Sequence, residues 1–245
     1  MIAVSIVTHG HGHMIVELTT QLLEYPEISK IIITKNINEE FILPISNKIL
    51  VISNDYPKGF GENHNFAFNN ITEEYFCPLN PDIILLSNPF PILVRNLIKY
   101  NSQLAAPLVL NRVGKIEDSV RYFPTFLSLV RKLFFINQGQ YKLKYNGNNI
   151  FPDWVAGMFM LFTSNAFKKL NGFDENYFLY YEDVDICARL WILDMKIVVV
   201  PAVCVIHDAR RASRSNFSHM KLHIQSMALY FYKYLGKLPK RSGKD

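Results

Sequence analysis

The chain has 245 residues, 49% hydrophobic and 13% aromatic, which suits one large folded domain and excludes a disordered or low-complexity protein. No apolar run reaches the ~18–20 residues that span a bilayer, and the opening MIAVSIVTHG lacks the basic lead of a signal peptide. The net charge is +5, but the end from Asp208 onward carries nine Lys and Arg against two Asp, a local +7 that leaves residues 1–207 at −2. An anionic partner is expected at that end.

The first strand is read over residues 2–8 (IAVSIVT), and the loop from Thr8 to His13 leads into a helix ending near Glu24. Strands follow at 30–34 and 49–52. The stretch 53–65, SNDYPKGFGENHN, reads as a polar, glycine-bearing loop before a helix at 66–71. A strand at 75–79 leads through NPDIILLSNPF into a helix over 90–100, and a strand covers 103–110. Residues 121–135 pattern as a basic amphipathic helix and 136–150 as a polar loop. An acid-led apolar strand spans 153–162, and strands at 196–200 and 203–206 end on His207. Strand and helix signals alternate, which predicts an α/β fold whose parallel sheet carries its function at the carboxyl ends of the strands. The cysteines Cys77, Cys187 and Cys204 are odd in number and apolar in setting, as free thiols of a reducing compartment are, so a cytoplasmic protein is expected.

The most concentrated chemistry lies in NGFDENYFLYYEDVDICARL, residues 171–190. Glu182, Asp183 and Asp185 fall in the first turn of a helix whose apolar stripe runs through Val184, Cys187, Ala188 and Trp191. Acids there complement the helix dipole, and Asp185 can pair with Arg189 one turn on. Neither effect accounts for the Gly-Phe-Asp turn and two tyrosine pairs that lead into them, which is why a catalytic role enters. Asp82, behind Pro81, is presented at a turn where it suits a hard cation, an Asx turn or a helix cap. The loop Gly59-Phe60-Gly61 with Asn63 and Asn65 can approach a nucleotide, yet neither a P-loop nor a G-x-G-x-x-G pattern is present. His9, His11 and His13 lack nearby carboxylates or thiolates and do not read as a metal site. His207 closes a strand beside Asp208, Arg210, Arg211 and Arg214, a setting for pyrophosphate or a metal.

Read in order, strand-Thr-His, GFGxNxN, LNPD, DWxxGxFML, GFDExYFLYYEDVDICxRL and a strand ending in His resemble the family 2 glycosyltransferases of the GT-A fold, particularly bacterial rhamnosyltransferases of O-antigen and cell-wall polysaccharide assembly. The resemblance spans residues 1 to about 215. It implies a GT-A domain over 1–215 and a basic amphipathic helix and tail over 216–245. It also implies an inverting transfer from a nucleotide-diphosphate sugar, dTDP-L-rhamnose, to a polyprenyl-diphosphate-linked acceptor, aided by Mg²⁺ or Mn²⁺. By the same resemblance Asp183 is the base with Glu182 beside it, and Asp82 and His207 hold the cation. Thr8, His9, Asn36, Gly61, Asn65, Asn80 and Arg211 line the donor, and Asp153 and Trp154 face the sugar or acceptor. The sequence departs from the family at two points. Asn80-Pro81-Asp82 has one carboxylate where Asp-x-Asp has two, and Lys35 replaces an acid beside Asn36.

Residues 217–235 place Phe217, Met220, Ile224, Met227, Ala228, Phe231, Tyr234 and Leu235 on one helical face, with Lys221 and Lys233 elsewhere. That helix and the basic residues after it suit an anionic membrane surface, which would put the protein on the inner face of the cytoplasmic membrane; packing on the domain or against a second copy suits it equally. No nucleic-acid recognition pattern is present. A UDP-hexose donor, or a non-catalytic nucleotide-sugar or glycan-binding subunit, are the alternatives on the same fold.

Overall fold

In a computed structural model, which describes residues 1–125, 139, 141, 143–145, 147–208, 217–235, 237 and 238, strand β1 (Ile2–Thr8) lies inside an eight-stranded sheet. It pairs in parallel with β2 (Ile28–Lys35) and β4 (Tyr75–Leu79), and β3 (Ile49–Ser53) continues the parallel run beyond β2. Farther along, β6 (Ser102–Leu110) and β10 (Lys196–His207) are parallel to each other. Two short strands run the other way. β9 (Leu161–Thr163) is inserted between β4 and β6, and β5 (Ile83–Leu85) closes the edge beside β10. The order is β3-β2-β1-β4-β9-β6-β10-β5, and β7 (Val120–Arg121) and β8 (Trp154–Val155) form a separate antiparallel pair.

The strands are apolar on both faces because helices cover both. Within β1, Ile2, Val4 and Ile6 point to a core shared with α1 (His13–Leu23) and α3 (Phe90–Tyr100). Ala3 points the other way, to a core built with α4 (Ser164–Lys169), α5 (Glu182–Ile192) and α6 (Phe217–Lys233). α2 (Phe60–Phe68) lies on that second face, where its buried His64 Nδ1 meets Ser5 Oγ at 2.8 Å; burial alone drives this histidine down to about 3, so it is neutral.

Several expectations need correction. The 53–65 loop ends early, since α2 starts at Phe60, and 66–71 is only its end. The glycines that read as a loop serve packing: a Cβ on Gly61 would stand 2.6 Å from Phe173 Cβ. The strand expected over 153–162 is two, β8 and β9, separated by the segment Ala156–Met160. The two strands expected at 196–206 are one, β10, whose register against β6 shifts between Val200 and Cys204. Of the helix expected at 121–135, residues 126–135 lie outside the described part, and Arg121 belongs to β7.

The apolar face expected over 217–235 is divided. Phe231 and Tyr234 are buried, whereas Met220, Ile224 and Leu235 are 53%, 52% and 65% exposed. Lys233 turns inward, 2.6 Å from both Asp174 and Asp185, and Tyr234 Oη donates to Asp185 at 2.8 Å. The inner half of α6 binds the body through these contacts together with the packing of Tyr230, Phe231 and Tyr234 in the core. Among the described residues no helix is long and apolar enough to cross a membrane.

The contact of Gly61 with Phe173 predicts that Gly61→Ala lowers unfolding stability by about 1–3 kcal/mol in a denaturant titration. An unchanged midpoint would mean that the turn yields freely.

Candidate active site

The carboxyl ends of β1, β2, β4, β6 and β10 share one edge of the sheet, as their parallel pairing requires, and the expected site residues gather there. Thr8 ends β1, Asn36 follows β2, Asn80 and Asp82 follow β4, and His207 ends β10. Antiparallel β9 brings its amino end to this edge, so the residues before it, Gly157 and Met158, arrive there too.

α5 delivers the acidic pair. Asp183 Oδ2 accepts the Gly157 amide at 3.1 Å, and Oδ1 accepts the Val184 amide at 2.8 Å. The next residue, Met158, accepts the Asn80 amide at 2.9 Å, so the acidic turn and the LNPD turn are fastened to neighbouring peptide groups. A Cβ on Gly157 would press on the tip of the Phe60 ring at 3.2 Å and stand in ordinary contact with Asp183 Cβ at 3.7 Å. Burial lifts the Asp183 carboxyl to about 6 although the amides of Gly157 and Val184 pull it down. Glu182 is only 5% exposed and its Oε2 has no partner among the described residues; burial, then the adjacent Asp183 charge, push its carboxyl well above its ordinary value.

The turn before α5 is strained. Tyr180 and Tyr181 both have positive φ, 70° and 67°, a conformation that bulky residues rarely hold. α6 supports it from outside: Ser226 Oγ donates to the Leu179 carbonyl at 2.8 Å, and His219 Nδ1 lies 3.1 Å from Tyr180 Oη. Asp185 belongs to this scaffold. It is fully buried and bound by Arg189, Lys233 and Tyr234, so its pairing with Arg189 is observed and three partners take up its carboxylate.

Across the site, His207 bridges two carboxylates, with Nε2 at 3.2 Å from Asp82 Oδ2 and Nδ1 at 2.7 Å from Glu117 Oε2. Burial disfavours the imidazolium, but both acids favour it and raise the histidine to about 9. Burial also raises Asp82, and His207 more than offsets this, holding the carboxyl below its ordinary value. The second oxygen, Asp82 Oδ1, is buried and has no partner among the described residues. Among the described residues no group of three His, Cys, Asp or Glu side chains is arranged around a metal. The donor chemistry of Asp82 and His207 nonetheless fits a divalent cation whose other positions go to ligand oxygens, and the orphaned Oδ1 is the atom it would satisfy.

Other expected residues have different work. Asn36 is a buried hub: its Oδ1 accepts from Asn54, Lys58 and Asn63, and its Nδ2 donates to the Lys58 carbonyl. Asn65 binds both backbone groups of Phe173, at 2.8 and 2.9 Å, beside Gly61. Asp153 accepts from the Phe123 amide and Tyr141, and Trp154, 9% exposed, donates to the Tyr122 carbonyl. These contacts tie Asn36, Gly61, Asn65 and Trp154 into the packing around the site. Thr8 Oγ1 donates to Glu39, which also accepts the Gly10 and Gly12 amides, and His9 stands exposed beside this loop. Arg211 lies outside the described residues. Sequence reading missed Glu39, Glu117 and Gly157. Glu39 follows a strand end in NINEEF and carried a signal, whereas Glu117 sits in a loop with none.

Comparison with known proteins bears on the fold and the family. The family model for the N-terminal domain of galactosyltransferase matches residues 134–221. The rhamnosyltransferase WbbL of Escherichia coli K12 is 32% identical, covering 94% of this chain and 92% of its own. The N-acetylglucosaminyl-diphospho-decaprenol L-rhamnosyltransferase of Mycobacterium tuberculosis is 30% identical over 136 residues, 51% of this chain and 43% of that one. Among solved structures, GalNAc-T7 with UDP, GalNAc and Mn²⁺ superposes with a TM-score of 0.67 at 16% identity, over 88% of this chain and 44% of its own. The mannosyltransferase PcManGT of Pyrobaculum calidifontis with GDP-Man and Mn²⁺ gives 0.62 at 11% identity, over 97% and 67%. The structural likenesses fix the GT-A fold. The WbbL identity, over nearly the full length of both chains, fixes the family: this protein is a glycosyltransferase of the family to which that rhamnosyltransferase belongs.

Proposed function

We propose that the protein is an inverting rhamnosyltransferase, moving L-rhamnose from dTDP-L-rhamnose to a hydroxyl of a polyprenyl-diphosphate-linked sugar in surface polysaccharide synthesis. The observation that carries the reading is the buried acidic pair at the start of α5, where the Gly157 and Val184 amides orient the Asp183 carboxylate and burial raises both carboxyls above their ordinary values. The two relatives bearing the name rhamnosyltransferase, one with a decaprenol-linked sugar in its name, support the donor and the acceptor class.

In this mechanism Asp183 takes the acceptor hydroxyl proton as that oxygen attacks the anomeric carbon. The new C–O bond forms as the bond from the anomeric carbon to the diphosphate breaks, and its electron pair leaves with the diphosphate. Attack opposite the leaving group inverts the anomeric centre. Two of roughly four acceptor directions on the Asp183 carboxylate are used by amides, which fixes its orientation and leaves capacity for the hydroxyl. Glu182 stands beside the base, its own carboxyl raised by burial and by the Asp183 charge. Asp82 and His207 would hold a divalent cation, Mg²⁺ or Mn²⁺, which when bound supplies positive charge to the diphosphate. Arg211 would add to that charge, Thr8, His9 and Asn80 would border the donor, and Asp153 would lie on the acceptor side. The exposed residues Met220, Ile224 and Leu235 of α6 and the segment after it, next to the basic end of the sequence, would rest on the anionic inner face of the cytoplasmic membrane, where a lipid-linked acceptor resides. On this view 1–215 is the transferase domain and 216–245 its membrane-directed extension.

Each part of this reading has its own measurement. Asp183→Asn lowers kcat by about 10²–10⁴-fold, and the parent's kcat/KM falls about tenfold per unit as pH drops below about 6, where the base is protonated. The carboxyl ionises near 3.8 unfolded and about 6 folded, so the parent loses stability as pH rises between those values, and this slope should be absent in denaturant titrations of Asp183→Asn. Full activity in Asp183→Asn would remove the assignment. In calorimetry, dTDP-rhamnose should bind more tightly than UDP-glucose, and EDTA should weaken it; preference for a UDP-sugar would keep the base and discard the donor. Finally, the full chain should float with vesicles containing anionic lipid and less so as Met220→Gln/Ile224→Gln; equal flotation of both would discard the membrane role of that face.

A further inference from the structure

We propose that Glu117 is a positioning residue for the cation side of the site: it holds His207 Nδ1 and thereby aims Nε2 at Asp82. The inference rests on reading Asp82 and His207 as the cation pair. Glu117 reaches His207 from the loop that follows β6. That loop doubles back, with the Lys115 carbonyl accepting the Asn111 amide at 2.8 Å and the Val109 carbonyl accepting the Glu117 amide at 2.8 Å. The backbone of Glu117 is therefore pinned against the strand next to the one that ends in His207. Its carboxylate then needs no reach to meet Nδ1 at 2.7 Å.

An ionised carboxylate only accepts, so Glu117 requires a proton on Nδ1. A neutral His207 must then carry its lone pair on Nε2, the nitrogen 3.2 Å from Asp82 Oδ2. The two ring nitrogens diverge, so Glu117 sits behind the ring and Asp82 in front of it. Glu117 cannot share an ion with Asp82 through the same face; it acts through the imidazole, as carboxylates behind metal-ligating histidines do. Among the described residues Arg112 is paired with Asp208, whose amide donates to the Asp82 carbonyl at 2.8 Å, and the charge of His11 acts on Asp82 from the β1 side. Since Asn80-Pro81-Asp82 offers a single carboxylate, a weakened histidine has no second acid to replace it. Glu117 thus matters more here than it would beside a full Asp-x-Asp.

The test is Mn²⁺ affinity of the full chain, alone and with dTDP, by electron paramagnetic resonance of the free ion, together with the ¹⁴N modulation that a coordinated imidazole gives. Glu117→Gln and Glu117→Ala are expected to weaken Mn²⁺ about 10–100-fold and to reduce the ¹⁴N signal. Glu117→Asp should recover part of both, and metal-free dTDP binding should stay at the parent level. Asp82→Asn and His207→Ala are the controls. If they weaken Mn²⁺ and the Glu117 variants bind it like the parent with the ¹⁴N signal intact, Glu117 has no such role. If Asp82→Asn and His207→Ala also bind Mn²⁺ like the parent, the cation pair itself is wrong and the inference falls with it. Glu117→Gln, nearly isosteric, keeps the test readable should Glu117→Ala unfold.

Discussion

The Gly157 amide holds one oxygen of Asp183 while the carbonyl of Met158, the next residue, takes the Asn80 amide. These two bonds join parts of the chain that are far apart in sequence: a helix start near residue 182, a turn near residue 80, and the lead-in to β9. They exist because β9 runs against its neighbours and so brings its beginning to the edge where the parallel strands end. Were β9 parallel, its loop would enter from the opposite edge, and the acidic turn would lose its anchor.

Around that anchor the local structure is costly in ways that stability alone does not explain. A helix start carries two adjacent carboxyls, one buried without a hydrogen-bond partner among the described residues for its second oxygen. Two successive tyrosines hold left-handed backbone angles just before it. Each is an expense of order 1–3 kcal/mol. They are maintained by the aromatic packing of Tyr177, Tyr181, Tyr230 and Phe231 and by the charged cluster at Asp185. Strain concentrated on one turn and supported from both sides is the expected mark of a functional position.

The fold was largely readable from the sequence because its strands are buried on both faces and its long helices have clean apolar stripes. β1, β4, α3 and the start of α5 lie where the pattern put them. The misreadings have physical causes. Gly59 and Gly61 spell a loop locally, yet the demand for close contact with Phe173 and Phe178 places them at a helix start. β5 and β9 are three residues each, too short for periodicity, and exist only through pairing with distant partners. For the site, acids and histidines next to strand ends were legible. Contacts between side chains were not: that Asn36 gathers Asn54, Lys58 and Asn63 around it depends on how distant segments pack.

The Lys233 ammonium and Tyr234 hydroxyl that converge on Asp185 have a bearing on how this enzyme could be shortened or fused. Their partners lie about fifty residues earlier, in the very turn that presents the acidic pair. A chain ended before Lys233 would keep every strand of the sheet and every acid of the site. It would nonetheless leave a wholly buried carboxylate facing only Arg189. Helix α6 and the tyrosine after it are thus structural members of the acidic turn, and a boundary drawn at the end of the sheet would remove them.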